Sequence, residues 1–492
     1  MAAETREFKR ELKPLDATMI VIGSMIGSGI FLVSADIART VGGPGWLLMS
    51  WLIAGVITVI GALSYGELAG MLPRAGGQYV YLREAYNPLV AFLYGWTMFM
   101  VIQTGTIAAV AVAFAKFTAV LLPGLGENVV LLDAGLFKVT AARVVAMLSI
   151  LLLTWLNTRG LHGGKIVQDV FTIAKTAALL GLIVLGLALG RNAQAIAANF
   201  ADFWHASWTH VESGMIASVE PLTGLALLGA IGASLVGSLF ACDAWNNITF
   251  TAGEVVQPKR TIPLSLVLGT GTVIVLYLLA NVAYIQILPV QGTPGAADVF
   301  GRGIQFATSD RVGVAAATLI FGAPAAVIMA ALIMVSTFGC NNGLILAGAR
   351  VYYAMARDRL FFAKAGTLNA KSVPGWALVV QAVWASLLCL SGTYSNLLDY
   401  VVFAVLVFYI LTVWGIFILR RTRPEAERPY RAFGYPFVPA LYILAAAAIS
   451  LILLIEKPLY TWPGLGIVLL GIPVYLVWTR MRPKGGPAGS EG

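Results

Sequence analysis

Charge and cysteine are what this chain has least of. Asp, Glu, Lys and Arg make up 11% of its 492 residues, and it holds three cysteines and three histidines. A soluble domain carries about 25% charged residues, so the shortage excludes a water-facing globular fold. Cys242, Cys340 and Cys389 all fall in apolar runs, which excludes a disulfide framework on an outside loop. His162, His205 and His210 sit in loops or at their edges without ligand spacing, so no metal site and no cofactor are expected. No nucleophile–base set stands out, which leaves a membrane enzyme little to rest on. No repeated pore loop or ring of charges argues for a channel.

Apolar residues are abundant instead, at 59%, with a mean hydropathy of +0.85. Twelve apolar runs approach the ~20 residues needed to cross a bilayer. They centre on 16–38, 46–70, 88–120, 140–156, 166–189, 224–251, 264–288, 324–348, 375–391, 397–419, 437–455 and 463–479. The first is too long for the apolar core of a signal peptide and is followed by no cleavage pattern. The net charge of +9 does not point to nucleic acid, because the cations are sorted by side. With an even span count and the N-terminus inside, about 23 of the 32 Lys and Arg are cytoplasmic and about seven lie outside. Lys116 and Lys175 fall within spans. This bias predicts cytoplasmic termini.

The expected organisation is an all-α membrane protein. A cytoplasmic tail (1–15) precedes five spans (16–190), five more (224–419), two additional spans (437–479) and a second tail (480–492). Five is odd, so the second block runs through the membrane inverted relative to the first, as in many secondary carriers. Trp204 and Trp208, in the outside stretch 190–223, suit an interfacial belt.

Gly23, Gly27 and Gly29 lie in the middle of the first run. Each costs a helix about 1 kcal/mol relative to Ala. Two readings are open. The glycines form a close-packing helix face, or they break the helix at mid-membrane, where its freed backbone groups must meet protein, water or ligand. The sixth run has Ser238, Asp243, Asn246 and Asn247 at the corresponding place, and such side chains compete with helical hydrogen bonds. A second break is expected near Ala241–Ala244. Two breaks in corresponding positions point to a binding site.

If the first helix opens at Gly27, the amides of Ser28, Gly29 and Ile30 begin its second half and suit a carboxylate. The Ser28 hydroxyl adds a donor or bonds back to its own helix. Free carbonyls near Met25, and at Phe240 and Ala241, suit an ammonium. Donors and acceptors this close fit an α-amino acid zwitterion. Asp243 has three open roles: accepting from the substrate ammonium, meeting a basic side chain, or capping a broken helix end. Lys175 lies about ten residues into its run, roughly 15 Å deep. It is read as a fixed ammonium bridging the first span and the eighth near Ser336 and Thr337, where a sodium-coupled carrier holds its ion. Proton exchange and simple packing are its other readings. Phe240 closes over a ligand or merely packs. Trp245, Asn246 and Asn247 line the pocket or pin the break. Glu67 and Glu254, near cytoplasmic ends, read as structural, and Lys116 as snorkelling outward.

Six ordered stretches resemble the amino acid–polyamine–organocation superfamily, in its L-type amino acid transporter branch. They are GSMIGSGIF at 23–31, YGELAGMLPRAGGQYVYLREAYNP at 65–88, VQDVFTIAKTAALLGLI at 167–183, FACDAWNNITFTAGEV at 240–255, AGARVYYAMARDRLF at 347–361 and RPYRAFGYPFVPALY at 428–442. The resemblance implies twelve helices in a LeuT-like fold, with broken spans one and six. It implies alternating access by sodium-independent exchange of an amino acid substrate. It assigns Ser28 and Gly29 to the substrate carboxylate, and carbonyls at Met25, Phe240 and Asp243 to the ammonium. Phe240 matches the gate, Lys175 the lysine that replaces sodium, and Asn246 a pocket asparagine. Animal members carry a cysteine between spans three and four that links them to a second subunit. Residues 121–139 contain none, so a prokaryotic plasma-membrane carrier with no disulfide-linked heavy subunit is expected, contacting lipid and no nucleic acid. Cys242 stands where the family often has Tyr, and Asp243 where some members have Gly. The main expectation is exchange of neutral L-amino acids. Its alternatives are a cationic or broad-range carrier reading charge through Asp243, and a proton-coupled importer using Lys175.

Overall fold

The computed structural model describes residues 10–133, 138–212, 214–390 and 394–480, with backbone alone for 161–168. Most of both tails, part of the 121–139 loop, the end of the 375–391 run and the side chain of His162 lie outside the described residues.

A helix that is apolar all round is either buried in protein or faces lipid, and the first span is buried in protein. Every residue from Ile20 to Ala35 is buried. It forms two helices, Pro14–Met25 and Gly29–Val41. Around it run Pro44–Met71, Pro88–Leu121, Ala141–Thr158 and Leu161–Leu189, which are spans two to five. Spans six, seven and eight are Gly224–Ala241, Pro258–Ile287 and Ala323–Arg357. Spans ten to twelve are Tyr394–Thr422, Phe437–Glu456 and Pro458–Arg480. Among the described residues, eleven helices are long and apolar enough to cross a membrane.

The ninth run appears as the shorter helix Gly375–Leu388, packed against spans three, four and eight. Its 14 residues rise only ~21 Å at 1.5 Å each. The sixth run ends as a helix at Ala241, ten residues earlier than its apolar stretch. The third contains a π-helical stretch, Met98–Ile102. Elements outside the expected runs include the helices Gln78–Ala85, Ala193–Ala201 and Val312–Phe321, and two antiparallel strand pairs, Val130–Asp133 with Lys138–Thr140 and Ser207–Glu212 with Met215–Pro221. Trp204 packs edge-on against Trp46 at 5.0 Å and accepts its indole N–H.

Packing relations express the inverted repeat. Span seven lies against span two, and span eight against span three. Span one meets spans five and seven, as span six meets spans ten and two. Span five meets spans seven and eight, as span ten meets spans two and three. Each of these contacts has a counterpart five helices away, as in a LeuT-like 5+5 arrangement with two helices appended. Small residues allow the closest approaches. A Cβ on Gly29 would lie 2.5 Å from that of Ala241, and one on Gly237 2.9 Å from that of Val33. The two broken spans therefore touch backbone to backbone on one side of their breaks.

Ion pairs fasten the face that carries the basic loops. Glu67, 1% exposed, accepts Nε and Nη2 of Arg420 at 2.9 and 2.6 Å and the Ala432 amide at 2.7 Å, and lies 3.3 Å from the Arg428 guanidinium as an ion pair. Arg423 reaches Glu84 at 2.7 Å, and Arg83 pairs with Asp358. Arg350 and Glu254 are both 1% exposed and meet at 2.8 Å. The Glu254 carbonyl also accepts the amides of Glu11 and Leu12, each at 2.9 Å. The structural reading of Glu67 and Glu254 is thus matched by their geometry. Losing one partner of such a buried pair strands a charge, at about 3–5 kcal/mol. Arg350→Met is therefore expected to lower the Tm in detergent sharply, whereas Arg350→Met with Glu254→Leu recovers most of the loss. A fluorescence melt compares them, and equal Tm values for wild type and Arg350→Met would refute the assignment.

Candidate functional site

The first span leaves helical geometry at Ile26, whose φ and ψ of −72° and 98° are extended, and resumes at Gly29. Unwinding frees carbonyls far from water, and in such a place each must find a donor. Four side chains from three other spans supply them. The Lys175 ammonium of span five bonds the Gly23 carbonyl. The Cys340 thiol of span eight reaches the Ser24 carbonyl at 3.1 Å. The Tyr277 hydroxyl of span seven donates to the Met25 carbonyl at 2.8 Å. Ser336 of span eight donates to the Gly27 carbonyl at 3.2 Å. Thr337 bonds back to Ile333 and Met334 of its own helix. Lys175 is fully buried.

Gly29 and Ile30 open the trailing helix, so their amides have no carbonyl within it to bond. The Ser28 hydroxyl lies 3.0 Å from that of Tyr394, at the start of span ten. The Tyr394 ring meets Phe240 edge-on at 6.1 Å, and the Lys116 ammonium stands 5.8 Å from its centroid. Phe240 is 7% exposed.

The second break begins just after Ala241. The Phe240 carbonyl accepts the Asp243 amide at 3.2 Å, and Ala244 turns the chain with φ of 64°. This left-handed conformation costs a residue with a Cβ about 1–2 kcal/mol. A short helical turn, Asn247–Phe250, follows. The Asp243 carboxylate accepts the Tyr409 hydroxyl of span ten at 2.6 Å. Asn246 donates to Gln78 at 3.0 Å, and Gln78 donates to Thr412 at 3.0 Å. Trp245 packs edge-on against Tyr65 at 4.8 Å.

Two clefts of about 340 Å³ each flank Asp243. One opens among spans three, six, eight and ten, between Gln78, Gln103, Asn246 and Tyr409. The other lies behind span six, against Thr58, Cys242 and Tyr442. Of the residues expected at the site, Asp243 and Asn246 line the first cleft. Met25, Ser28, Ile30 and Ala241 line neither cleft and are no more than 3% exposed, with Gly29 closed against Ala241. The two breaks thus meet at the Gly29–Ala241 contact, with the Phe240–Tyr394 pair packed edge-on and a polar cleft against the second break. Tyr277, Tyr394, Tyr409, Gln78 and Cys340 complete this arrangement, and the sequence reading assigned none of them to the site. A mid-span tyrosine needs a hydroxyl partner, but no spacing ties these residues to the breaks.

Two interrupted spans meeting at mid-bundle inside an inverted repeat define a secondary carrier. Residues 12–476 match the amino acid permease family, and the chain belongs to it. It is 30% identical over 479 residues to the large neutral amino acids transporter small subunit 2 of Mus musculus, covering 97% of this chain and 82% of that one. It is 27% identical over 462 residues to the b(0,+)-type amino acid transporter 1 of Mus musculus, covering 93% and 85%. It is 28% identical over 478 residues to the serine/threonine exchanger SteT of Bacillus subtilis (strain 168), covering 96% and 98%.

The closeness of Gly29 to Ala241 yields a direct test. Gly29→Ala pushes spans one and six apart where they touch and is expected to abolish amino acid binding, read by equilibrium dialysis. Combining it with Ala241→Gly removes the colliding methyl and restores part of the binding. Unchanged binding in Gly29→Ala would contradict this packing.

Proposed function

We propose that this chain is a sodium-independent exchanger of neutral L-amino acids, working by alternating access in a prokaryotic plasma membrane with both termini cytoplasmic. The observation that carries the reading is the broken first span, whose Gly23 carbonyl is held by the buried ammonium of Lys175. A fixed cation at that position does the work of a bound metal ion, so none needs to be co-transported.

In this reading the substrate carboxylate sits on the amides of Ser28, Gly29 and Ile30, with the helix end supplying partial positive charge. The Ser28 hydroxyl exchanges its bond with Tyr394 for one with the carboxylate. The substrate ammonium takes the remaining lone pairs of the Met25, Phe240 and Ala241 carbonyls. Phe240 gates the outer side with Tyr394, and Asn246, fixed by Gln78, borders the side chain. The repeats 16–190 and 224–419 rock about the site, with 437–479 outside the repeat. All three cysteines are buried, so none is offered to a disulfide-linked subunit. No enzymatic step is required.

A cationic or broad-range substrate class is favoured by one observation. Among the described ion pairs Asp243 has no basic partner; its carboxylate accepts the Tyr409 hydroxyl, and it borders both clefts. Its carboxylate is available to a charged substrate end.

Proteoliposomes in sodium-free buffer at symmetric pH separate these readings. Labelled amino acid uptake is expected only when unlabelled amino acid is inside, with neutral amino acids competing best. Competition chiefly by lysine and arginine, lost in Asp243→Asn, would instead establish the cationic class. Uptake into empty vesicles that grows with an inward proton gradient would overturn exchange and assign Lys175 to proton coupling.

A further inference from the structure

Asp243 places a negative charge between two clefts of about 340 Å³ each. Its carboxylate accepts the Tyr409 hydroxyl at 2.6 Å and the Ala244 amide, two donors that favour the ionised form. The titratable groups facing it are Cys242 beside it, Tyr65 of span two, Tyr94 of span three, Tyr409 of span ten and Tyr442 of span eleven. Tyrosine and cysteine are ordinarily uncharged at neutral pH. Gln78, from the helix Gln78–Ala85, and Leu344, from span eight, add no charge to the wall. The buried cations are engaged elsewhere: Lys175 at the Gly23 carbonyl and Arg350 at Glu254. Among the described residues, the carboxylate therefore faces neutral groups.

An ionised carboxylate can stand there while water reaches it, and the first cleft has room for water. A substrate side chain seated against Asn246 expels that water. If the side chain is uncharged, the carboxylate is left dry and without a counter-charge, which burial penalises heavily. A lysine or arginine side chain brings its own cation.

We propose that Asp243 takes up a proton when a neutral amino acid binds, and that a cationic side chain takes the proton's place. This rests on the reading of the chain as an amino acid carrier with its substrate at the breaks. The proton passes from water on the entry side to a carboxylate oxygen of Asp243, crosses with the substrate and returns to water on the far side. Each loaded form thus holds one compensating positive charge. Exchange of one neutral amino acid for another moves no net proton. A neutral amino acid entering against lysine leaving carries one proton inward, and the charges balance.

The test is titration calorimetry of the purified full-length protein with L-leucine, L-serine and L-lysine. Each is run in buffers of different ionisation enthalpy, which counts the protons taken up on binding. Across roughly pH 6–8 the count for a neutral amino acid is expected to reach about one in wild type. Affinity for it then falls about ten-fold per pH unit on the alkaline side, because the bound state holds one proton more than the empty one. Lysine is expected to bind without proton uptake. In Asp243→Asn the count for a neutral amino acid is expected to be zero and the affinity flat in pH. Tyr409→Phe removes a donor to the ionised form, so the alkaline fall is expected to begin at higher pH than in wild type. A zero count for a bound neutral amino acid in wild type, or a count of about one in Asp243→Asn, overturns the proposal. Lysine that fails to bind, or binds with a proton, overturns the substitution of cation for proton. If Asp243→Asn binds nothing, an unmoved onset in Tyr409→Phe overturns the assignment to Asp243. Failure of wild type to bind or exchange any amino acid overturns the carrier reading itself, whereas binding without proton uptake overturns only this role of Asp243.

Discussion

An unwound backbone in a low-dielectric interior must have its carbonyls bonded by something, and the rest of this structure depends on that demand. The first span interrupts itself between Met25 and Gly29. Lys175, Cys340, Tyr277 and Ser336 then converge on four of the carbonyls at its end. These donors come from spans five, seven and eight, so the break fixes how three other helices are oriented. One unmade bond of this kind costs about 1–3 kcal/mol when buried. The break is therefore a specified state and not a local melting of the helix.

The same demand explains why a carrier can use such a break. Donors that fill one lone pair of each carbonyl leave the other available. The helix that restarts at Gly29 presents amides without internal partners. A ligand with an ammonium and a carboxylate can satisfy both sides and bring the halves of the repeat together. The charged anchors lie elsewhere, at Glu67–Arg420 and Arg350–Glu254 on one face and at Arg39–Asp310 and Lys457–Asp399 on the other. The edge-on contact of Phe240 with Tyr394 stands between the second face and the break.

Much of this was legible in the sequence, for reasons that can be stated. Three glycines in one apolar run locate the first break to within a residue or two. The polar cluster around Asp243 locates the second, because short polar side chains compete with helical bonds. Run count and cation sorting give the repeat. Tyr277, Tyr394 and Tyr409 were not legible, since a buried tyrosine reads as packing until its hydroxyl partner is known. The closed contact of Gly29 with Ala241 is a matter of how two helices cross, which one-dimensional periodicity does not encode. The hairpin at Ser207–Glu212 and Met215–Pro221 was hidden by its length: two short strands in a loop between spans carry too little alternation to stand out. Lys116 read as snorkelling outward, yet its ammonium stands near the Tyr394 ring, an attraction that depth along a helix does not reveal.

The central claim is that Lys175 is a permanent cation holding the broken span ready for substrate. Amino-acid-induced thermal stabilisation of wild type and Lys175→Met, each in sodium and in choline buffer, tests it most directly. The account predicts the same ligand-induced rise in Tm for wild type in both salts, and no rise for a folded Lys175→Met in either. A wild-type response that requires sodium, or a full response from Lys175→Met in choline, would contradict it.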